Sequence, residues 1–598
     1  MGADTVVSAH VGSRRQGRRG DRVWMALSRF RAAPLVLFWV VIIALLALPV
    51  MLFLAVAFSP RLFDQGPEWF TLSAFQEAFS GTLLIGLVDS VVVGVISAVV
   101  AAVIAFSVAW LLVRTDVPLR QVWGGAMFGL LFAPSYLVAL GWERLLEPRG
   151  VLDTAGIHLD AVRTVFYGPV GVAFVLAMKG LPFAYLAISS SLRALGEEYE
   201  AAIRVHGGGR LASLRVVIAL LAPAIWSALA IVFAESVSDF GVAATLANDA
   251  NFPVATYTLF NAVEAFPIQF PVAAAVGWVL MGLAGIALLA QSLALRGRSY
   301  RVLSGRSRPA RRITLSPRAK TAAVGGLGLL LFAGLGVPAF AAVAASLIDN
   351  LGTLLGTHGI TLVNYKDVLT NGDVRYALIP PLLYSARAAA ITATVTLAIS
   401  AVVAGVLTRK GARVSARLLD LLLLTAVALP GIVFAAGYIF TYNLPLLSHF
   451  GLRLYGTTTL LVMGYVATAL PPTSRVLVGT VGQVQESMSE AGRVHGSSAV
   501  EAWRRTVMPL LARPLITAWL LCFGTTLFEL PVSELLLAPG HEPLSVAITH
   551  VLQGYWFAQG TAMEVIAVLV ALAVVGIVWG LFRVLAPQGW QRVGRAAE

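Results

Sequence analysis

Four carboxylates stand out in a chain that is otherwise strongly apolar: Glu235, Asp239, Glu529 and Glu534. Each pair closes a long apolar run, and no Lys or Arg lies between Arg215 and Arg296 or between Arg513 and Arg583. An ionisable side chain at membrane depth is costly, so each is a functional candidate. Carboxylate oxygen suits a hard cation. The four therefore read either as an acidic entrance to a translocation path or simply as acids at a membrane interface. His206 and His495 could be taken for a metal pair, but they adjoin turn glycines on separate loops, and no metal site is expected. Cys522 is the only cysteine, which excludes an internal disulfide and a thiolate cluster. None of Lys179, Lys320, Lys366 and Lys410 follows a glycine, so the G-x-x-x-x-G-K-[ST] phosphate loop is absent. The chain is expected to be no enzyme, with no catalytic residues and no bound cofactor.

The elements that carry these groups are membrane helices. Hydrophobic residues make up 58% of the 598-residue chain and charged residues only 12%, against about 25% charged in soluble domains. Apolar runs of about 20 residues cross a bilayer as helix, and the polar–apolar alternation of a β-barrel is not seen. Twelve spans are expected, near 33–58, 83–113, 122–141, 166–192, 218–237, 271–295, 321–348, 381–408, 417–441, 457–481, 511–530 and 563–585. The net charge of +13 is concentrated at flanks. Seven Arg lie before the first span, and eight Arg with Lys320 lie between spans six and seven. Such flanks meet anionic lipid headgroups, and no nucleic-acid partner is expected. The positive-inside rule places both termini and that connector in the cytoplasm; Arg144, Arg149 and Arg163 after span three are the exception. The N-terminal arm is too basic and too long for a cleaved signal peptide. The expected layout is a basic arm at 1–32, a six-span half at 33–296, an Arg-rich connector at 297–320, a second six-span half at 321–587 and a tail at 588–598. Lys179 and Arg475, inside spans four and ten, are expected to carry their charge to an interface or to line a pore.

The two halves are related. Arg-Val-His-Gly occurs at Arg204–Gly207 and again at Arg493–Gly496, 289 residues apart. In the same register Leu181-Pro182 aligns with Leu470-Pro471, Glu197 with Glu486, Ala202 with Ala491 and Arg215 with Arg504. A shared polar loop per half marks an internal duplication, and so predicts an all-α integral membrane fold of two homologous six-helix halves about a pseudo-two-fold axis. Pro182 and Pro471 are expected to kink paired helices, and the Gly-rich run Val324–Gly336 to pack closely.

The second copy reads Glu490-Ala491-Gly492, three residues, Gly496, nine residues, then Thr506-Val507-Met508-Pro509. This resembles the cytoplasmic loop of bacterial ABC importer permeases, E-A-A, three residues, G, nine residues, I-x-L-P. The first copy is looser: Glu200 is one residue early, Ala201-Ala202 hold the register, Gly207 keeps its place and Leu220 replaces the proline. A helix, a glycine-permitted reversal and a second helix are expected, with Ser497 or Ser498 as the cap. Leu111–Pro118, Asp239-Phe240-Gly241, Glu529-Leu530-Pro531, Leu535-Leu536-Leu537 and Pro543–Val546 resemble the fused permeases for ferric iron and thiamine.

The resemblance implies a bacterial inner-membrane permease that imports ferric iron, with thiamine, sulfate, polyamine or phosphonate as alternatives. It also implies two ATP-hydrolysing subunits gripping the two loops and one extracytoplasmic binding protein. Glu200, Ala201, Ala202, Gly207, Glu490, Ala491, Gly492, Gly496 and Pro509 would form the docking loops. An ion-coupled secondary transporter, also built from repeats, is the alternative of a different class.

Overall fold

The computed structural model describes residues 35–196, 205–295, 312–348, 351, 359–370, 373–408, 413–445, 449, 454–482, 498, 501 and 507–585. Helix dominates, and the described residues hold no strand beyond isolated bridges. This follows from the composition, because in lipid a helix satisfies its own backbone. In the first half the helices that build the bundle are α1 (Leu35–Val56), α2 (Gly81–Arg114), α3 (Arg120–Phe132), α4 (Ser135–Leu146), α5 (Pro169–Ala194), α6 (Arg210–Ser238), α7 (Ala255–Glu264) and α8 (Phe270–Leu295). The second half repeats them as α9 (Pro317–Ser346), α10 (Ile379–Thr408), α11 (Arg413–Ala428), α12 (Gly431–Tyr442), α13 (Thr458–Val481), α14 (Met508–Leu527), α15 (Leu544–Gln553) and α16 (Phe557–Leu585).

The duplication holds at helix ends. Pro169 and Thr458 open α5 and α13, Ser238 and Leu527 close α6 and α14, and α7 and α15 begin at Ala255 and Leu544, each pair 289 residues apart. Among the described residues ten helices are long and apolar enough to span, or up to twelve if each of two bent pairs is one span. Those pairs correspond to expected spans three and nine. Neither is a straight crossing: the chain turns by 93° between α3 and α4 and by 106° between α11 and α12. The breaks fall at Pro134 and Pro430, each of which takes an extended conformation just before the following helix, as a residue without a donor N–H permits.

Within α2 the faces are sorted by size. Val88, Val92, Val95, Val99 and Val103 are exposed at helical spacing, whereas Ser90, Gly94, Ser97, Ala98, Ala101 and Ala105 are buried. Branched side chains meet lipid and small ones allow close helix approach. A Cβ at Gly94 would meet Val237 Cγ2 of α6 at 2.9 Å. The Gly-rich run of α9 is not uniformly a packing surface. Gly334 faces Leu130 of α3, but Gly325 and Gly326 look into open space. Pro182 and Pro471 do lie inside equivalent helices, α5 and α13.

The halves exchange their first helices. α1 packs on α12 of the second half, and α9 packs on α4 of the first. Both α1 and α9 contain a π-helical turn, Ile43–Ala47 and Phe332–Gly336. Tyr438 donates to Leu45 O at 2.8 Å, Tyr442 to Ala44 O at 3.1 Å, and Trp142 to Ala333 O at 3.2 Å. Gly141 and Gly437 make the approach possible, since a Cβ there would meet Pro338 Cα at 2.5 Å and Pro49 O at 2.8 Å.

Candidate functional site

The repeated polar segment joins α5 to α6 and α13 to α14. Glu200, Ala201, Ala202, Glu490, Ala491, Gly492 and Gly496 lie outside the described residues, as does His495. Three features of the segment are described. Gly207 has φ +75° with nothing near its Cβ position, so backbone conformation rather than space requires glycine there. Ser498 Oγ accepts from Glu501 N at 3.2 Å, the geometry of a helix cap. Pro509 lies buried in the first turn of α14, where a missing N–H costs nothing. His206 is exposed beside Gly207.

Two of the four acids, Asp239 and Glu529, do equivalent work. Asp239 Oδ1 accepts from Val242 N at 2.8 Å, and Glu529 accepts from Val532 N at 3.0 Å and Ser533 N at 3.1 Å. Each carboxylate thus caps the short helical segment after α6 or α14. The main chain of each is held alike, by Thr256 Oγ1 donating to Asp239 O at 2.8 Å and Ser545 Oγ donating to Glu529 O at 2.5 Å. The first turns of α7 and α15 are pinned by a serine in the same manner: Ala255 N donates to Ser90 Oγ and Leu544 N to Ser385 Oγ.

Beyond this shared frame the halves diverge. Asp239 also accepts from Ser135 Oγ at 2.7 Å and pairs with Lys179 Nζ at 2.5 Å. Glu235 lies within electrostatic reach of the same ammonium. The aligned position in α13 is Thr468, with no charge. Lys179 therefore does not carry its charge out to an interface; it holds a buried carboxylate. Arg475 pairs with Asp420 at 2.9 Å at a half-exposed position. In the second half Glu534 lies 3.7 Å from His550 Nε2, whose Nδ1 is 2.5 Å from Glu542 Oε1. The acids of the first half gather about Lys179, whereas Glu529 and Glu534 engage different partners, so the described contacts form no single ring. The Lys179–Asp239 pair escaped the sequence reading, although two opposite intramembrane charges in neighbouring spans were a usable signal.

Two of the three exceptional arginines after span three, Arg144 and Arg163, are paired locally. Arg144 is buried, 2.9 Å from Glu147, with its guanidinium 4.1 Å over the Phe557 ring of α16. Arg163 binds Asp153 and Asp160, both at 2.8 Å.

Residues 397–588 match the family of binding-protein-dependent transport system inner membrane components. The chain is 24% identical over 426 residues to a putative ferric transport system permease protein of Haemophilus influenzae, covering 70% of this chain and 65% of the relative. It is 25% identical over 430 residues to the ferric transport system permease protein of Actinobacillus pleuropneumoniae, covering 70% and 60%. It is also 29% identical over 200 residues to the sulfate transport system permease protein of Salmonella typhimurium, covering 33% and 71%. The first two matches span less than two thirds of those relatives' lengths. The described helices repeat as two like halves, and residues 397–588, in the second of them, resemble the binding-protein-dependent transport system inner membrane components.

Proposed function

We propose that this protein is the membrane permease of an ATP-driven importer, that its solute is ferric iron delivered by a separate extracytoplasmic binding protein, and that two ATPase subunits grip the turns between α5 and α6 and between α13 and α14. The repeated turn carries this reading: a left-handed glycine at Gly207, a serine cap at Ser498 and a buried Pro509 opening α14, in a family match that covers the second copy. Approach of the ATPases would draw the two turns together. Because α1 and α9 are exchanged between halves, the halves would then move as clasped bodies, turning the path outward; hydrolysis would restore the inward-facing state. Both termini and the Arg-rich connector face the cytoplasm in this arrangement, in the bacterial inner membrane. Ferric iron is favoured by the similarity to two ferric permeases. Sulfate is the second reading, favoured by the similarity to the sulfate permease.

The test is radioactive iron uptake by cells with and without the gene, with and without the partner ATPase, and with Gly496→Asp at unchanged expression. Uptake should require all three intact. Sulfate uptake without iron uptake would replace the substrate, and transport driven by an ion gradient without the ATPase would replace the mechanism.

A further inference from the structure

A cavity of about 510 Å³ lies where the ends of α2 and α5 meet the start of α3. Arg114, Arg120, Arg193 and Arg312 all line it, and among the described residues the lining holds no carboxylate. These arginines come from four separate segments: the end of α2, the first residue of α3, the end of α5 and the connector between the halves.

Main-chain pairing brings the connector there. Ile313 N donates to Arg114 O at 2.8 Å, and Asp116 N donates to Ile313 O at 3.2 Å. Asp116 fixes the pairing further by accepting from Leu315 N at 2.8 Å and from Lys320 Nζ at 2.7 Å. Asp116 is therefore engaged with the connector, outside the cavity lining, and Arg312 is delivered to the cavity. Arg114 is buried and donates to Leu195 O at 3.1 Å, which ties α2 to the end of α5. Leu119, in a left-handed conformation with no side-chain cap, leaves the first N–H groups of α3 directed toward this end of the helix.

Guanidinium groups arranged around one space fit an anion such as phosphate, not a cation or a neutral solute. The surroundings say where that phosphate comes from. α3 belongs to a bent pair apolar enough to be a broken span or a re-entrant loop, and Leu119, Val122, Phe128 and Phe132 at or along it are exposed apolar side chains. Phe128 also lines the cavity. Trp123, on the same helix, donates to Pro118 O at 3.2 Å. A ligand here would meet cations at one end and an apolar helix face at the other, and basic pockets between membrane helices are suited to phospholipid heads.

We infer that this cavity binds the phosphate headgroup of an anionic phospholipid, with the acyl chains lying along α3. The site clamps α2, α3, α5 and the connector together, at the end of α5 that leads into the first repeated turn. It does not depend on which solute the protein carries.

The test uses the full-length protein in detergent, with native mass spectrometry counting bound lipid. Dioctanoyl phosphatidylglycerol is compared with dioctanoyl phosphatidylcholine, glycerol 1-phosphate and inorganic phosphate. One phosphatidylglycerol should be retained at least tenfold more tightly than phosphatidylcholine. That preference should fall at least tenfold in Arg120→Gln/Arg193→Gln/Arg312→Gln and remain in the control Arg583→Gln. Arg193→Gln alone, at an exposed position, should weaken it several-fold and keeps the test valid if the triple variant misfolds. Equal retention of the two lipids, or an unchanged preference in Arg193→Gln, overturns the inference. Glycerol 1-phosphate or inorganic phosphate binding as tightly as the lipid would make this a soluble-anion site instead. Loss of lipid on adding the partner ATPase, with the arginines protected by that subunit, would make it a protein interface.

Discussion

Trp142 and Tyr438 hold equivalent places in the two bent pairs, and each donates a hydrogen bond into the π-helical turn of the other half's first helix. The π-turn leaves carbonyls outside the regular helical ladder, and an aromatic donor from the opposite half meets one of them. The same chemistry is repeated across the pseudo-two-fold axis with an indole on one side and a phenol on the other. The exchange of α1 and α9 is thereby fixed by directional bonds as well as by apolar packing.

Tyr438→Phe should cost about 1 kcal/mol, the usual net worth of one hydrogen bond. The hydroxyl is fully buried and also lies 3.3 Å from Met463 O. Trp142→Phe should cost a similar amount, and the two should add because the sites share no partner. Thermal unfolding of the detergent-solubilised protein checks this, and an unchanged melting temperature in the double variant would argue against the clasp.

Gly141→Ala and Gly437→Ala should each destabilise by about 1–3 kcal/mol, the usual range for overpacking. In each the new methyl meets proline main-chain atoms, which cannot swing aside as a side chain can. Gly125→Ala is the control. Nothing lies within 4 Å of that position, and the change should be neutral or slightly stabilising in a helix. The same melting experiment separates the cases.

Lys179→Met should be more harmful than the double variant Lys179→Met/Asp239→Asn. Removing one member of a buried pair leaves an uncompensated charge, at about 3–5 kcal/mol, and the Asp239 side chain is only 2% exposed. Neutralising both removes the Asp239 share of that penalty, Glu235 being present in both variants, while Ser135 and Val242 N retain polar partners at position 239. A double-mutant cycle on melting temperature measures the coupling; additive effects would show that the ion pair is not what holds this corner.

His550 gives a pH prediction. α15, ten residues long, is too short to span a membrane, and Glu534 and Glu542 beside His550 raise its pKa from 6.5 to about 10. A raised pKa means that the stabilisation is fully present below about pH 6.5 and disappears as the pH rises through about 10. At pH 7 the imidazole should be protonated and slow to react with diethyl pyrocarbonate, which attacks the neutral ring. Glu534→Gln/Glu542→Gln should bring its reactivity at pH 7 up to that of a free histidine, and fast modification in the parent protein would contradict the assignment.

Much of the architecture was written locally. Runs such as Asp89–Val113 have to be helical in lipid whatever surrounds them, because no other conformation hides their backbone. The duplicated Arg-Val-His-Gly announced two equivalent units, and Gly207 takes the left-handed turn that its position demanded. Ser498 likewise caps as a serine after a turn should. These are properties of short segments, and short segments are legible from residue order.

Tertiary packing decided the rest. Hydropathy reads 122–141 and 417–441 as ordinary spans, yet each contains a turn of about a right angle near Pro134 or Pro430, because an apolar sequence is equally at ease straight or bent. Nothing in α1 names α12 as its partner; that choice depends on a glycine opposite a proline and on an aromatic donor almost 400 residues away in sequence. The carboxylates were visible as isolated charges, but their roles as caps, and the ammonium that neutralises Asp239, depend on which helices stand side by side. Sequence alone determined the solvent, the helices and the twofold repeat, since each follows from burying backbone in lipid. Only the folded structure decided the partners, because a charge or a small residue acquires its meaning from the neighbour within a few ångströms.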